Sequence, residues 1–344
     1  MKIFFNINSL RNMSGSERVA CILANELVER FNFDVTIINR DATFSEVAYP
    51  LNRKVNVRKI SGSLFEYYIN LVRLINSENP DVFVVHNMGK LSLLCSLIPH
   101  IKKLVTLEHI SFISRPKSIQ LLSKLFYKKI DQVITLTNSD KSYFDQFHRN
   151  VIVLPNFSPF AIAKKQNFDQ KRIIAIGRLT EQKNYIHLLK AWEKIFFKLP
   201  DWKLHIYGEG EHKVLLSEYI QENEIKNIYL EEVTTNVASV YEASSFFVMS
   251  SKYEGLPMVL IEAQSFGLPI ISYDCPNGPS DIVENNYNGF LVENQNISLL
   301  AQRILELAIS TDQLENFSKN SLEKAKDYQP EKILNLWVRY IFKG

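Results

Sequence analysis

Short apolar runs alternate with amphipathic stretches along the whole chain. Runs rich in Val, Ile, Leu and Phe recur at 3–8, 33–38, 82–86, 104–108, 132–136 and 151–154. They return at 172–177, 203–208, 227–230, 245–250, 270–273 and 289–292. Such runs, bounded by polar residues or Gly, read as buried strands. Between several of them apolar positions recur at helical spacing, as at 17–30 and 65–76. Strand–helix–strand order predicts parallel sheets covered on both faces, an α/β fold class. The pattern weakens over 155–170, a stretch of Pro, Ser, Asn and Lys, and resumes beyond it. Two Rossmann-like domains facing each other across an interdomain cleft are expected, 1–160 and 161–330, with ligands at the carboxyl ends of the strands.

Composition agrees and narrows the setting. A length of 344 residues suits two domains better than one core. With 46% hydrophobic and 22% charged residues the chain reads as a soluble globular protein. Cys21, Cys95 and Cys275 lie far apart and lack metal-ligand spacing, which points to a reducing compartment and against a structural metal. No apolar run reaches the ~18 residues that span a bilayer, and the N-terminus does not read as a signal peptide. A cytoplasmic location is expected. Charge is uneven: residues 1–165 hold 22 Lys and Arg against 13 Asp and Glu, while 166–344 hold 18 against 24. The basic half suits an anionic membrane surface or nucleic acid. Nucleic acid is disfavoured because no aromatics cluster beside the Lys runs.

Four stretches carry candidate chemistry. The first is SKYEGLPMVLIEAQSFG, residues 251–267, which follows a strand and runs into a helix. Pro257 suits the first helical turn, with Val259, Leu260 and Ala263 as an apolar face. The N–H groups of Met258, Val259 and Leu260 would then point out of the helix start, where a phosphate binds well. Glu254 and Glu262 bracket that start, placed to grip hydroxyls on either side of a diphosphate; two solvated carboxylates would also fit. The second is Gly177-Arg178-Leu179-Thr180-Glu181-Gln182-Lys183-Asn184. Arg178 and Lys183 could close on a diphosphate, unless this is a solvated turn. The third is the loop 9–16, where Ser14-x-x-Glu17 reads as a capping box and Gly15 could let the backbone approach a phosphate. The fourth is His109, at the end of a strand, where a structural role is the simpler reading.

One helix adds a surface question. Residues 116–130, from Pro116 to Ile130, place Ile119, Leu122, Phe126 and Ile130 at helical spacing, with Lys117, Lys124, Lys128 and Lys129 largely on other faces. This is either a core-packing helix with a solvated basic side or a membrane-surface helix.

Glu-x7-Glu with Gly-Leu-Pro after the first Glu, preceded by the Gly-Arg-Leu…Lys-Asn run, resembles the signature of family 4 glycosyltransferases. The resemblance covers nearly the whole chain and implies the GT-B fold and retaining transfer from a nucleotide-sugar. It implies an acceptor-binding first domain, a donor-binding second domain, and a last helix (331–344) that packs back on the first. His109 matches the family's histidine near the transferred sugar, and with Glu254 it forms the implied catalytic pair. Donor contacts are implied for Gly15, Arg178, Lys183, Gly255, Leu256, Pro257, Met258, Val259, Leu260 and Glu262. Val233 falls where the family contacts the base, beside Glu231 and Glu232 in place of the usual Gly. Tyr207-Gly208-Glu209-Gly210 resembles the family's strand-end turn, and Cys275–Pro279 reads as a turn facing the cleft.

The implied reaction moves a hexose or N-acetylhexosamine from a UDP-sugar to a saccharide or polyprenyl-linked acceptor, in bacterial surface polysaccharide assembly. No cofactor is expected beyond the UDP-sugar itself. The sequence contains no Asp-x-Asp to hold a metal on the diphosphate, so Arg178 and Lys183 are expected to take the cation's place. Competing readings are a UDP-sugar epimerase of the same fold and a non-catalytic sugar-nucleotide-binding subunit. A dehydrogenase is disfavoured by the missing third glycine of the dinucleotide fingerprint.

Overall fold

The structure is a computed structural model that describes residues 1–11, 15–40, 47–87, 89–163 and 168–343. Two compact units divide the chain, Met1–Asn156 with Pro330–Gly344, and Phe157–Gln329.

Unit 1 is built on a seven-stranded parallel sheet: β1 (Lys2–Ile7), β2 (Asp34–Asn39), β3 (Asn56–Lys59), β4 (Val82–Asn87), β5 (Leu104–Glu108), β6 (Gln132–Thr135) and β7 (Val151–Val153). Its order is β3-β2-β1-β4-β5-β6-β7. Every residue of β5 and β6 is buried, which requires cover on both faces. Unit 2 carries a six-stranded parallel sheet: β8 (Arg172–Ile176), β9 (Lys203–Tyr207), β10 (Ile228–Glu231), β11 (Phe246–Met249), β12 (Ile270–Asp274) and β13 (Gly289–Glu293). Here the order is β10-β9-β8-β11-β12-β13. Each sheet reverses direction of growth beside its first strand, the point where ligands bind in such folds.

The structure adds to or departs from the sequence reading at three places. Strand β3 escaped the apolar pattern because it is an edge strand: Asn56, Arg58 and Lys59 are exposed and Val57 is half-buried. A capping box opens the helix Leu64–Glu78, where Ser63 Oγ accepts from the Glu66 N–H at 3.3 Å and Glu66 Oε2 accepts from the Ser63 N–H at 2.7 Å. The box expected at Ser14 lies outside the described residues; the helix Gly15–Phe31 follows it. The helix expected over 116–130 is Lys117–Phe126, closed by a 3-10 turn at Tyr127–Lys129.

The C-terminal segment belongs to unit 1. Helix Pro330–Trp337 runs into a π turn at Val338–Phe342. Ile333, Leu334, Trp337, Ile341 and Phe342 are all buried. The Phe342 ring meets Phe33 edge-on at 5.7 Å, and Lys103 Nζ donates to the Ile341 carbonyl at 2.6 Å.

Candidate functional site

Register in the second sheet starts the site. Ile176 pairs with Tyr207, so Gly177 and Gly208 leave the sheet side by side. The Gly177 N–H donates to the Tyr207 carbonyl at 3.0 Å and the Leu179 N–H to the Glu209 carbonyl at 2.7 Å. A Cβ on Gly208 would lie 1.9 Å from the Gly177 oxygen, and one on Gly210 2.3 Å from the Leu179 oxygen. The Gly-x-Gly turn is thus a backbone-to-backbone seat for the loop after β8, and only glycine fits there.

A second set of contacts ties that loop to the one after β11. The Lys252 N–H donates to the Gln182 carbonyl at 2.8 Å, Ser250 Oγ to the Lys183 carbonyl at 3.0 Å, and Gln182 Nε2 to the Tyr253 carbonyl at 3.0 Å. At their centre Lys183 Nζ meets Glu254 Oε1 at 2.6 Å, with side chains 17% and 8% exposed. Two candidates 71 residues apart are therefore one ion pair. Arg178 stands exposed at the start of the same loop. Burial, reinforced by the Glu254 carboxylate, pushes the phenol of Tyr185 up, and the Cys275 thiol up to about 12. Both stay neutral beside the pair.

Gly255, Leu256 and Pro257 bridge Glu254 to the helix Met258–Ser265. The turn from Cys275 to Pro279 lies over this bridge. Gly278 has φ +92°, and a Cβ there would meet the Gly255 oxygen at 2.4 Å and Pro257 Cδ at 2.6 Å. Three expectations about the helix are corrected. Pro257 is its N-cap, with extended φ −71° and ψ 105°, rather than a first-turn residue. The Leu260 N–H closes on the Pro257 carbonyl at 3.1 Å, so it is not an outward donor; the helix start belongs to Met258 and Val259. The helix is also buried all round from Leu260 to Ser265 rather than on one apolar face. Gln264 Nε2 meets its environment by donating to the Ile282 carbonyl at 2.7 Å. Glu262 is 2% exposed and accepts from the Tyr241 hydroxyl at 2.9 Å. Val233 is 59% exposed in the loop after β10.

Unit 1 places His109 directly after β5. His109 Nε2 lies 3.3 Å from His86 Nδ1, at the end of β4. Burial lowers the His109 pKa to about 4 and that of His86 well below its ordinary value, the latter helped by the neighbouring ring. Beneath the loop that His109 opens, Glu108 pairs with Arg115 and accepts from the Tyr127 hydroxyl at 3.0 Å and from Thr106 Oγ1 at 2.6 Å. Arg115 also packs over the rings of Phe112 and Phe144. A buried charge pair satisfied on this many sides fixes the loop's two ends together. Gly15 is exposed at the start of its helix.

His86, Arg115, Tyr185 and Tyr241 were not singled out in the sequence. Each is ordinary in its local pattern, and its partner lies on another element. Along Lys117–Phe126, Leu121 is 62%, Leu122 39% and Leu125 60% exposed. Lys117, Lys124, Lys128 and Lys129 are exposed too. Ile119 and Phe126 are half-buried and Ile130 is buried, so Leu122 departs from the expected inward row. Among the described residues no helix is long and apolar enough to cross a membrane.

Residues 13–158 match the family described as Glycosyltransferase Family 4, and residues 159–324 that described as Glycosyl transferases group 1. The amylovoran biosynthesis glycosyltransferase AmsD of Erwinia amylovora is 34% identical, over 98% of each chain. A Campylobacter jejuni enzyme named GalNAc-alpha-(1->4)-GalNAc-alpha-(1->3)-diNAcBac-PP-undecaprenol alpha-1,4-N-acetyl-D-galactosaminyltransferase is 30% identical, over 99% of this chain and 98% of that one. Among solved structures, Anabaena Alr3699/HepE in complex with UDP superposes with a TM-score of 0.84 at 15% identity over 100% of both chains. TarM of S. aureus superposes with a TM-score of 0.84 at 17% identity, over 99% of this chain and 98% of that one. The chain belongs to glycosyltransferase family 4 and has the GT-B fold.

Proposed function

We propose that the protein moves a hexose or N-acetylhexosamine from a UDP-sugar to a lipid-linked saccharide, with retention at the anomeric carbon, in the assembly of a bacterial surface glycan. The observation that carries this reading is the Lys183–Glu254 pair, 2.6 Å apart, on two loops stitched together at the carboxyl ends of β8 and β11. It gathers a diphosphate-binding cation and a sugar-binding carboxylate where the fold binds ligands. The named relatives act on an undecaprenyl-diphosphate-linked saccharide and in amylovoran biosynthesis, and a structural neighbour holds UDP.

In this reading unit 2 binds the donor. Lys183, Arg178 and the N–H groups of Met258 and Val259 meet the diphosphate, Glu254 the sugar hydroxyls, and Glu262 the ribose. As the bond from the anomeric carbon to the diphosphate oxygen breaks, negative charge grows on the leaving group. Cations and N–H donors already in place stabilise that charge more than the ground state's. The acceptor oxygen bonds on the same face, and its proton passes to the departing phosphate oxygen. His109 serves the transferred sugar as a neutral hydrogen-bonding group.

The exposed Leu121, Leu122 and Leu125 beside Lys117, Lys124, Lys128 and Lys129 support peripheral contact with an anionic membrane. Leucines would enter the headgroup region while the ammonium groups meet lipid phosphates. A lipid-linked acceptor would be met there, on the cytoplasmic face.

The test is UDP release from a panel of UDP-sugars, in EDTA, with and without lipid-linked saccharide. Donor-specific release that the acceptor increases is expected. Absence of UDP binding altogether would remove the reading.

A further inference from the structure

We propose that His86 is a positioning residue for His109: its Nδ1–H donates to His109 Nε2 and fixes the tautomer of His109 that carries its proton on Nδ1. His109 then offers an N–H, not a lone pair, to the oxygen it meets on the transferred sugar.

The geometry comes first. The nitrogens lie 3.3 Å apart, the ring centroids 5.4 Å apart, and the planes 21° apart. Two rings whose facing atoms are this close and whose centres are this far apart sit edge to edge, nearly coplanar. An N–H···N hydrogen bond between imidazoles needs that arrangement, and face-to-face stacking does not give it.

Which ring donates follows from the other nitrogen of His86. The residue is 2% exposed, and its Nε2 is enclosed with no hydrogen-bond partner among the described residues. A neutral imidazole carries one N–H and one lone pair. A buried lone pair left unmet costs less than a buried N–H left unmet, which is why orphan donors are the rarer of the two. The proton of His86 therefore belongs on Nδ1, facing His109. Phe5 holds the ring in that orientation, its centroid 4.8 Å away at 56°. Burial keeps both rings neutral, so the pair shares one hydrogen bond and neither charge.

Consequences for the reaction rest on the reading that His109 meets the sugar; the tautomer itself does not. Long-range proton–nitrogen correlation on nitrogen-15-labelled protein reports which nitrogen of His109 is protonated. At neutral pH the proton is expected on Nδ1. His86→Asn keeps an N–H donor near the Nδ1 position and should keep that tautomer. His86→Leu removes the donor and should release His109 to the Nε2–H form. Transfer should fall about tenfold to a hundredfold in His86→Leu, in kcat rather than in acceptor KM, with most of the rate restored in His86→Asn. Protonation of His109 on Nε2 in the unaltered protein would overturn the proposal, as would an unchanged tautomer in a folded His86→Leu. His109→Ala, measured alongside, separates the two claims. An unchanged rate there would remove His109 from the reaction while the spectra still decide the tautomer.

Discussion

Lys183 Nζ lies 2.6 Å from Glu254 Oε1, so the cation expected on the diphosphate and the carboxylate expected on the sugar are each other's partner. In the proposed reading a donor divides them, drawing the ammonium to phosphate and the carboxylate to hydroxyls. Their joint arrangement makes the two residues a unit rather than two independent contributions. Lys183→Ala and Glu254→Ala should each lower transfer by about a hundredfold or more, and the double variant should lose much less than the product of the two. UDP release measures the rate, and circular dichroism checks the fold. A Glu254→Ala variant that transfers at the original rate would remove its assignment.

The glycine seat beneath the cation loop makes a prediction about stability. Gly208→Ala puts a methyl 1.9 Å from a backbone oxygen that is itself fixed in the sheet margin. The loop must move, at a cost of about 2 kcal/mol or more. Thermal unfolding should show a fall of roughly 2–4 °C for each kcal/mol lost, with weaker UDP binding. Gly177 and Leu179 undisturbed in amide spectra of the variant would contradict the seat.

Charge on the exposed helix can be read directly on vesicles. Lys124→Glu with Lys128→Glu should reduce partitioning to phosphatidylglycerol vesicles more than tenfold, because each basic residue near an anionic surface contributes about 1 kcal/mol. Leu121→Ser with Leu125→Ser should reduce it further at high salt, where the charge contribution is screened. Equal partitioning of all three proteins would return the helix to a plain solvated surface.

Acid should act through His109. Its folded pKa of about 4 lies below the ordinary 6.5, so between these values the unfolded chain binds the proton and the folded chain does not. Stability contributed by the neutral ring is present above about 6.5, declines as pH falls from there, and is lost by about 4. The span corresponds to roughly 3 kcal/mol. Denaturant titrations across this window should show a shallower decline for His109→Gln than for the unaltered protein. Parallel curves would mean that burial does not hold the ring neutral in the folded protein.

Both sheets were legible because every interior strand is a short apolar run, and a parallel sheet buried on both faces needs such runs. The same logic hid β3, whose edge residues Asn56, Arg58 and Lys59 face solvent. At the site, spacing identified Lys183 and Glu254 separately, yet nothing in a linear chain states that residues on two loops will pair. The direction of the Leu260 N–H was misjudged for a related reason. Pro257 caps the helix with extended backbone, and the Leu260 N–H tightens the first turn with an i→i−3 bond to the Pro257 carbonyl, so a donor expected to point outward is used within the turn. His86 was inside a predicted strand and carried no signal beyond its burial. Only the neighbouring strand end gives its nitrogen a purpose.

The last segment has a consequence for biosynthesis. Trp337, Ile341 and Phe342 complete the packing of a unit whose sheet is finished at β7, and all of unit 2 is translated between them. Phe33 and Lys103 emerge from the ribosome long before Phe342 and Ile341, the groups they meet. Until translation reaches that segment, the first unit waits with part of its apolar surface uncovered, the condition in which nascent chains associate or attract chaperones. A chain stopped after the second sheet would have every strand and still lack a closed first unit.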